Sequence, residues 1–213
     1  MQIIATNIGK PMPIFRNGKN IETGIYKTPV SEGIYLETLG VKGDHVMDTK
    51  VHGGTEKACY LYSADHYPFW KEKFSDMNWA WGMFGENLTV TGMDDSQIYI
   101  GDIFEIGDAI VQVSEPRRPC STLGIKFGTQ QIVKLFNDLL IPGTYVRVLQ
   151  EGKIKKGNIL THIEKKSNIS VAEIFSLFSL AGKDFNLAKK AMELESLSIH
   201  SKNAIKKYIN SIK

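Results

Sequence analysis

Short apolar runs with a period of two, most of them bounded by glycine, recur from the start of the chain to about Glu164. They are IIATNIG, GIYLETLG, KACYLYS, AIVQVSE, TYVRVLQEGKI and ILTHIEK. Such alternation puts one face of each segment against a core, and the run lengths suit strands. Glu151-Gly152 supplies a turn between two runs, and Gly101-Asp102 and Gly107-Asp108 supply turns within IGDIFEIGDAIVQVS. Strands spaced this evenly, without a helix between each pair, predict a mainly β fold, a barrel or sandwich and not a parallel sheet.

Two stretches break the period. Ser63 is placed to cap a helix over ADHYPFWKEKF, and a second helix follows Gly128 as TQQIVKLFNDLL and stops before Pro142-Gly143. Phe69, Trp70, Phe74, Leu135 and Phe136 form their apolar stripes and are expected in the core. Beyond Lys165-Lys166 the periodicity becomes helical. Ser170 and Glu173 have capping-box spacing ahead of SVAEIFSLFSL, and DFNLAKKAMELESL and SIHSKNAIKKYINSI follow. The predicted organisation is a β-barrel domain over 1–164 with inserted helices, then a three-helix module over 165–213. So short a module buries too little to stand alone and is expected to pack partly on the barrel.

Composition narrows the function classes. Of 213 residues, 42% are apolar and 23% charged, which is ordinary for a globular chain, and no apolar run reaches the about 18 residues of a membrane span. The opening MQIIATNIGKPMP is not a basic patch followed by an apolar block, so it does not read as a secretory signal, and a cytoplasmic protein with reduced cysteines is expected. The net charge is +3, but the segment from Lys165 onward holds nine lysines against four acids. That basic tail could draw an acidic protein or a nucleic acid. It lacks the interleaved stacking platforms a nucleic acid requires, so a solvated helical face accounts for it better.

Four clusters could carry chemistry. In GDHVMDTKVHGGTEKA, residues 43–58, His52 precedes Gly53-Gly54, and a double glycine lets backbone amides approach a planar or anionic ligand. In FGENLTV, Glu86 and Asn87 offer adjacent donors and acceptors before a strand, or simply close a turn. The stretch IGDIFEIGDAIVQVS reads as structural. In PRRPC, Pro116 and Pro119 stiffen a loop in which Arg117 and Arg118 stand beside Cys120. Neighbouring guanidinium groups favour the thiolate, the form that attacks electrophiles and ligates soft metals. Cys59, inside the apolar run ACYLY, is expected to be core.

Together KVHGGTEKACYLY, FGENLTVTGM and YIGDIFEIGDAIVQVSEPRRPC, with the helical tail, resemble the MOSC domain, which is related to the carboxy-terminal part of molybdenum cofactor sulfurases. The similarity extends to the bacterial subgroup linked to resistance against 6-hydroxylaminopurine, whose barrel is followed by three helices. The resemblance implies a β-barrel that binds a molybdenum-pterin cofactor, with Cys120 as thiolate ligand to molybdenum. Asp44, Lys50, His52, Gly53, Gly54, Glu86, Asn87 and Arg117 fall on the shared motifs. Arg117 and Lys50 are then expected at the cofactor phosphate, and Asn87 and Glu86 at the pterin or the substrate.

On this reading the protein is a molybdenum oxidoreductase that reduces small N-hydroxylated compounds, such as nucleobases, to amines. No dinucleotide fingerprint is present and two cysteines are too few for a cluster, so a separate flavin or iron–sulfur reductase is expected to supply electrons. The alternative is a cofactor or sulfur carrier without turnover. Pyridoxal phosphate is also attached to the family, but no lysine stands in a Schiff-base context. A barrel of this size could also form a homodimer.

Overall fold

The computed structural model describes residues 1–16, 18–46, 53–179 and 184–211. In chain order its strands are β1 Gln2–Gly9, β2 Met12–Arg16, β3 Lys19–Thr23, β4 Lys27–Pro29, β5 Ile34–Glu37, β6 Gly40–Val41, β7 Cys59–Ser63, β8 Leu88–Thr91, β9 Ile103–Ile106, β10 Ala109–Pro116, β11 Thr144–Gln150, β12 Gly152–Ile154 and β13 Leu160–Glu164. The helices are α1 Tyr67–Lys73, α2 Ser121–Lys126, α3 Gln131–Asp138, α4 Val171–Ser176, α5 Phe185–Glu193 and α6 Ile199–Asn210. No described helix is long and apolar enough to cross a membrane.

Eight strands form one sheet in the order β13-β9-β10-β11-β7-β8-β1-β4. Its two sides meet where the chain after β12 returns to β1. Ile3 donates to the Asn158 carbonyl at 2.9 Å, Leu160 donates to that of Met1 at 3.0 Å, and Gly157 donates to that of Ile3 at 2.8 Å. These bonds close the barrel that the strand pattern predicts, leaving β4 outside the ring. One pair, β7 with β8, is parallel. The connection between them carries α1, because parallel neighbours need a crossover.

Most strand cores follow from alternation, but β7 is buried at all five positions and β8 at three in a row. β10 is buried at almost every position, so it reads as a strand covered on both sides. Its inner residues Val111 and Val113 join the barrel interior, and the C-terminal helices cover its other face. Ser198 donates its backbone N–H to the Ser114 carbonyl at 3.0 Å. Val171, Ile174, Ala188, Ala191 and Ile205 from the three helices, with Leu197 between the last two, lie in one continuous apolar core with the barrel. The helices therefore pack on the outside of the barrel through apolar residues continuous with its core. The capping box forms as predicted: Glu173 N–H donates to Ser170 Oγ at 3.2 Å, and Ser170 N–H donates to Glu173 Oε2 at 2.7 Å.

A second core is aromatic. Trp70 of α1 and Phe136 of α3 are fully buried, with Phe69, Phe74 and Leu135 packed around them, against Tyr60, Tyr62 and Phe84. This matches the core assignment of those five side chains. Ser63 accepts from Asp65 N–H at 3.3 Å and starts a 3-10 turn, Ala64–His66, that runs into α1. Helix α2, directly after Cys120, and the β2–β3 hairpin are elements that the hydrophobic pattern does not announce.

Candidate functional site

The stiff PRRPC loop leaves the end of β10 and enters α2, with Cys120 in extended conformation as the residue before the helix. It opens onto a cavity of about 900 Å³. Cys120 is half-buried and lines this cavity, whereas Cys59 is sealed in the barrel core, where burial pushes its thiol pKa up. The two cysteines thus separate as expected, one presented and one packed.

Arg117 sits beneath the loop. Its guanidinium lies 5.5 Å from the Tyr60 ring centre and 5.1 Å from that of Phe136, with 5% of the residue exposed. Its Nη1 is buried without a hydrogen-bond partner, an arrangement that usually marks a missing ligand or water. The charges of Arg117 and Cys120 act on one another, and both act on Tyr145. Burial raises the Tyr145 pKa to about 12 despite the pull of Arg117, so this cavity-lining phenol stays protonated.

Around this floor the cavity wall holds five Lys or Arg residues and three carboxylates. Two cations are paired in place, Lys27 with Asp44, and Lys57 with Glu115 at 3.3 Å. Arg16, Arg117 and Arg118 stand against Glu22, so the wall carries a positive surplus suited to an anionic ligand. Burial lowers the Lys57 pKa, and the neighbouring Glu115 opposes that shift.

The mouth is built by close backbone contact. A Cβ on Gly9 would meet the Gly24 carbonyl oxygen at 2.2 Å, and one on Gly24 would meet that of His45 at 1.7 Å. These glycines let the root of the β2–β3 hairpin lie against the barrel wall. At the far end of β2, Arg16 Nη1 donates to Thr122 Oγ1 at 3.3 Å, tying the hairpin to α2.

The residues singled out from the sequence are only partly brought together. Asp44 and Asn87 meet in the cavity wall: Asn87 Nδ2 donates to Asp44 Oδ2 at 3.0 Å, and Asp44 Oδ1 accepts from Gly9 N–H at 2.7 Å. Asn87 is further engaged by Tyr60 N–H at 3.3 Å and the Asn7 carbonyl at 3.3 Å, so it braces the wall. Glu86 requires a correction, because its carboxylate turns away from the cavity. Its Oε1 accepts from Tyr67 Oη, from Gly82 N–H at 2.8 Å and from Thr89 Oγ1 at 2.9 Å, while Oε2 accepts from Phe84 N–H at 3.1 Å. It is 0% exposed and organises the 82–89 loop.

Gly53 and Gly54 do not line the cavity among the described residues. Gly54 has φ 83°, and its carbonyl accepts from Lys57 N–H at 3.0 Å, so it turns the chain that delivers Lys57 to the wall. Lys50 and His52 lie outside the described residues.

Lys57, Glu115, Tyr145, Phe178 and His200 line the cavity without having been marked by any sequence motif. Lys57 was visible only as the end of the His-Gly-Gly stretch, and Glu115 only as the residue before PRRPC.

Behind the wall, Lys126 donates to the carbonyls of Ile25 at 3.0 Å and Gly82 at 3.1 Å. Burial lowers its pKa to about 8, against about 10.4 in an unfolded chain. Between these values the unfolded chain binds more protons than the folded one, so this contribution to stability rises with pH from about 8 to 10.4 and is level below that window. Urea titrations of the parent and of Lys126→Met are expected to show the parent gaining about 2 kcal/mol on the variant between pH 7.5 and 9.5.

A closed barrel whose presented thiol follows a buried arginine at the end of a strand defines a MOSC domain. The chain belongs to that family, with the MOSC domain pattern matching residues 48–161. It is 40% identical to the Bacillus subtilis (strain 168) protein YflK over 173 residues, covering 80% of this chain and 78% of that one. A Gibberella moniliformis (strain M3125 / FGSC 7600) protein named as a reductase is 36% identical over 151 residues, which span 70% of this chain but 27% of its own. Among solved structures, YiiM from Geobacillus stearothermophilus superposes with a TM-score of 0.81 at 30% identity, covering 98% of each chain.

Proposed function

We propose that the cavity holds a molybdenum-pterin cofactor and that the protein reduces N-hydroxylated compounds to amines. The observation that carries this reading is the single thiol at Cys120, presented beside Arg117 on a cavity with surplus positive charge. The donor set fits. A dithiolene-bound molybdenum brings ligands of its own and needs one soft thiolate from the protein, which Cys120 can offer. The buried, unpartnered Nη1 of Arg117 suits the cofactor phosphate. The relative named as a reductase supports turnover over simple carriage.

When bound, the cofactor would supply the two electrons for cleaving the substrate N–O bond. The chain supplies the rest. Cys120 Sγ would hold the metal, and Arg117 and Arg118 would offset the negative charge of the cofactor. Conversion of R–NHOH to R–NH₂ consumes two electrons and two protons and releases water. Lys57 Nζ, held by Glu115 and eased toward deprotonation by burial, donates a proton to the departing oxygen. The electrons come from a separate flavin or iron–sulfur reductase. The 27% coverage of the fungal relative supports this division, since most of that reductase lies outside the matched region.

The test is to purify the protein from cells that make the cofactor, measure bound molybdenum, and assay N-hydroxylamine reduction with an artificial electron donor. Stoichiometric metal with turnover is the expected result. Metal without turnover on any N-hydroxylated compound would favour the cofactor-carrier reading, and no metal would remove both of these and leave a sulfur carrier.

A further inference from the structure

Oxidisable rings join the cavity to the far side of the aromatic core. From the cavity wall run Tyr145, Tyr60, Tyr62 and Tyr67, with successive ring centres 5.3 Å, 6.2 Å and 6.2 Å apart, and Trp81 follows at 4.6 Å. Each step lies within the about 4.5–7 Å at which aromatic rings touch. Tyr145 and Tyr60 line the cavity with Cys120. Trp81 is half-buried at the other end, and Lys71 Nζ stands 5.8 Å from its ring centre.

Packing alone does not require these residues. A buried hydroxyl costs free energy that phenylalanine avoids, and Phe84, Phe127 and Phe136 fill the same core without one. Phenols and indoles differ from phenyl rings in giving up a single electron readily, and a phenol does so when a base stands ready for its proton. Tyr67 meets that condition, because its Oη donates to the buried Glu86 carboxylate. Tyr60 does not, since its Oη donates to the Pro142 carbonyl at 2.8 Å, a weak base. Tyr67 is therefore where an oxidising equivalent can rest, and the rings of Tyr60 and Tyr62 bridge it to the cavity.

We propose that this line of rings protects Cys120 by carrying single oxidising equivalents from the cavity to the surface. A one-electron oxidant takes an electron from the Cys120 thiolate and leaves a thiyl radical. An electron from Tyr67 restores the thiolate, and the Tyr67 proton passes to Glu86. Trp81 then returns an electron to Tyr67, which recovers its proton from Glu86. A soluble anionic reductant such as ascorbate, attracted by Lys71, refills Trp81. The net change is one electron from ascorbate to the oxidant, and the protein ends as it began. This role uses only the thiol and the rings, so it stands apart from the function proposed above.

The experiment uses the full chain made without cofactor, with a ruthenium tris-bipyridyl complex attached to Cys120 through a maleimide. Cys59 is sealed in the core, and Cys120→Ser, which should take no label, checks that. A laser flash with a cobalt(III) ammine as acceptor leaves ruthenium(III) at the cavity. Transient absorption and freeze-quench EPR are expected to show a tryptophanyl radical in the parent and in Trp79→Phe. Trp81→Phe should lose it and show a tyrosyl radical instead. Placing 3-fluorotyrosine at position 67 of that variant keeps the hydroxyl and the fold and should add fluorine splitting to the signal. No aromatic radical in the parent, a tryptophanyl signal that survives Trp81→Phe, or a tyrosyl signal without fluorine splitting would overturn the relay.

The protective role has its own readout. Photolysis of S-nitrosated Cys120 in air makes the thiyl radical directly, and mass spectrometry then measures sulfinic and sulfonic acid at that position. Several-fold more of these acids is expected in Trp81→Phe than in the parent with ascorbate present. Equal amounts would leave the rings a path without a purpose and overturn the protection.

Discussion

Replacing Cys120 by serine is expected to strip molybdenum from the protein and lower N-hydroxylamine reduction by at least about 100-fold, because a hydroxyl is a hard, weakly acidic donor where a soft thiolate is needed. Stability should move little. Cys120 is half-buried at a cavity, not packed in a core, and serine has nearly its shape. Unfolding midpoints within about 1 kcal/mol of the parent would localise the effect to the metal. Elemental analysis and single-turnover kinetics check the two parts separately. Retained metal in the variant would remove Cys120 from the centre, and with it the main support for the proposed function.

The second large effect concerns a residue outside the cavity lining. Glu86→Ala is expected to destabilise the fold by about 3–5 kcal/mol, a large share of the 5–15 kcal/mol typical of a domain. Removing the carboxylate leaves Tyr67 Oη, Thr89 Oγ1 and the N–H groups of Gly82 and Phe84 without acceptors in a dry interior. Glu86→Gln separates charge from geometry. Its amide oxygen can serve the three donors now on Oε1, but its NH₂ would then face the Phe84 N–H, donor against donor. Its cost should fall between the parent and alanine. Urea denaturation followed by tryptophan fluorescence measures both, since Trp70, Trp79 and Trp81 report on the neighbouring aromatic cluster. Equal stability of parent and Glu86→Ala would show that the 82–89 loop is held by other means.

These two residues show what could be read from the chain. Cys120 was legible because its chemistry is local: two prolines, two arginines and a thiol in five positions. Glu86 was misplaced because an acid beside an amide before a strand looks the same whether it faces a ligand or a loop's own amides. Its direction is set by Tyr67 and Gly82, which no spacing rule links to it. The strands were legible wherever one face is dry and the other wet, as in β1 and β11. β10 kept too little alternation to reveal that a second layer covers it. The contribution of Phe178 and His200 was hidden for a related reason, since each looks like an ordinary helix residue until the tail docks beside the PRRPC loop.

The seam that closes the barrel has a consequence for how the molecule is made. β1 is synthesised about 150 residues ahead of its partners at residues 157–160, and Glu115 must wait for Ser201. Pairings of such long sequence separation are slow to form and leave edges bare in the meantime. The pocket therefore cannot form on the ribosome until the chain has emerged as far as Ser201, and any cofactor must be captured after that point.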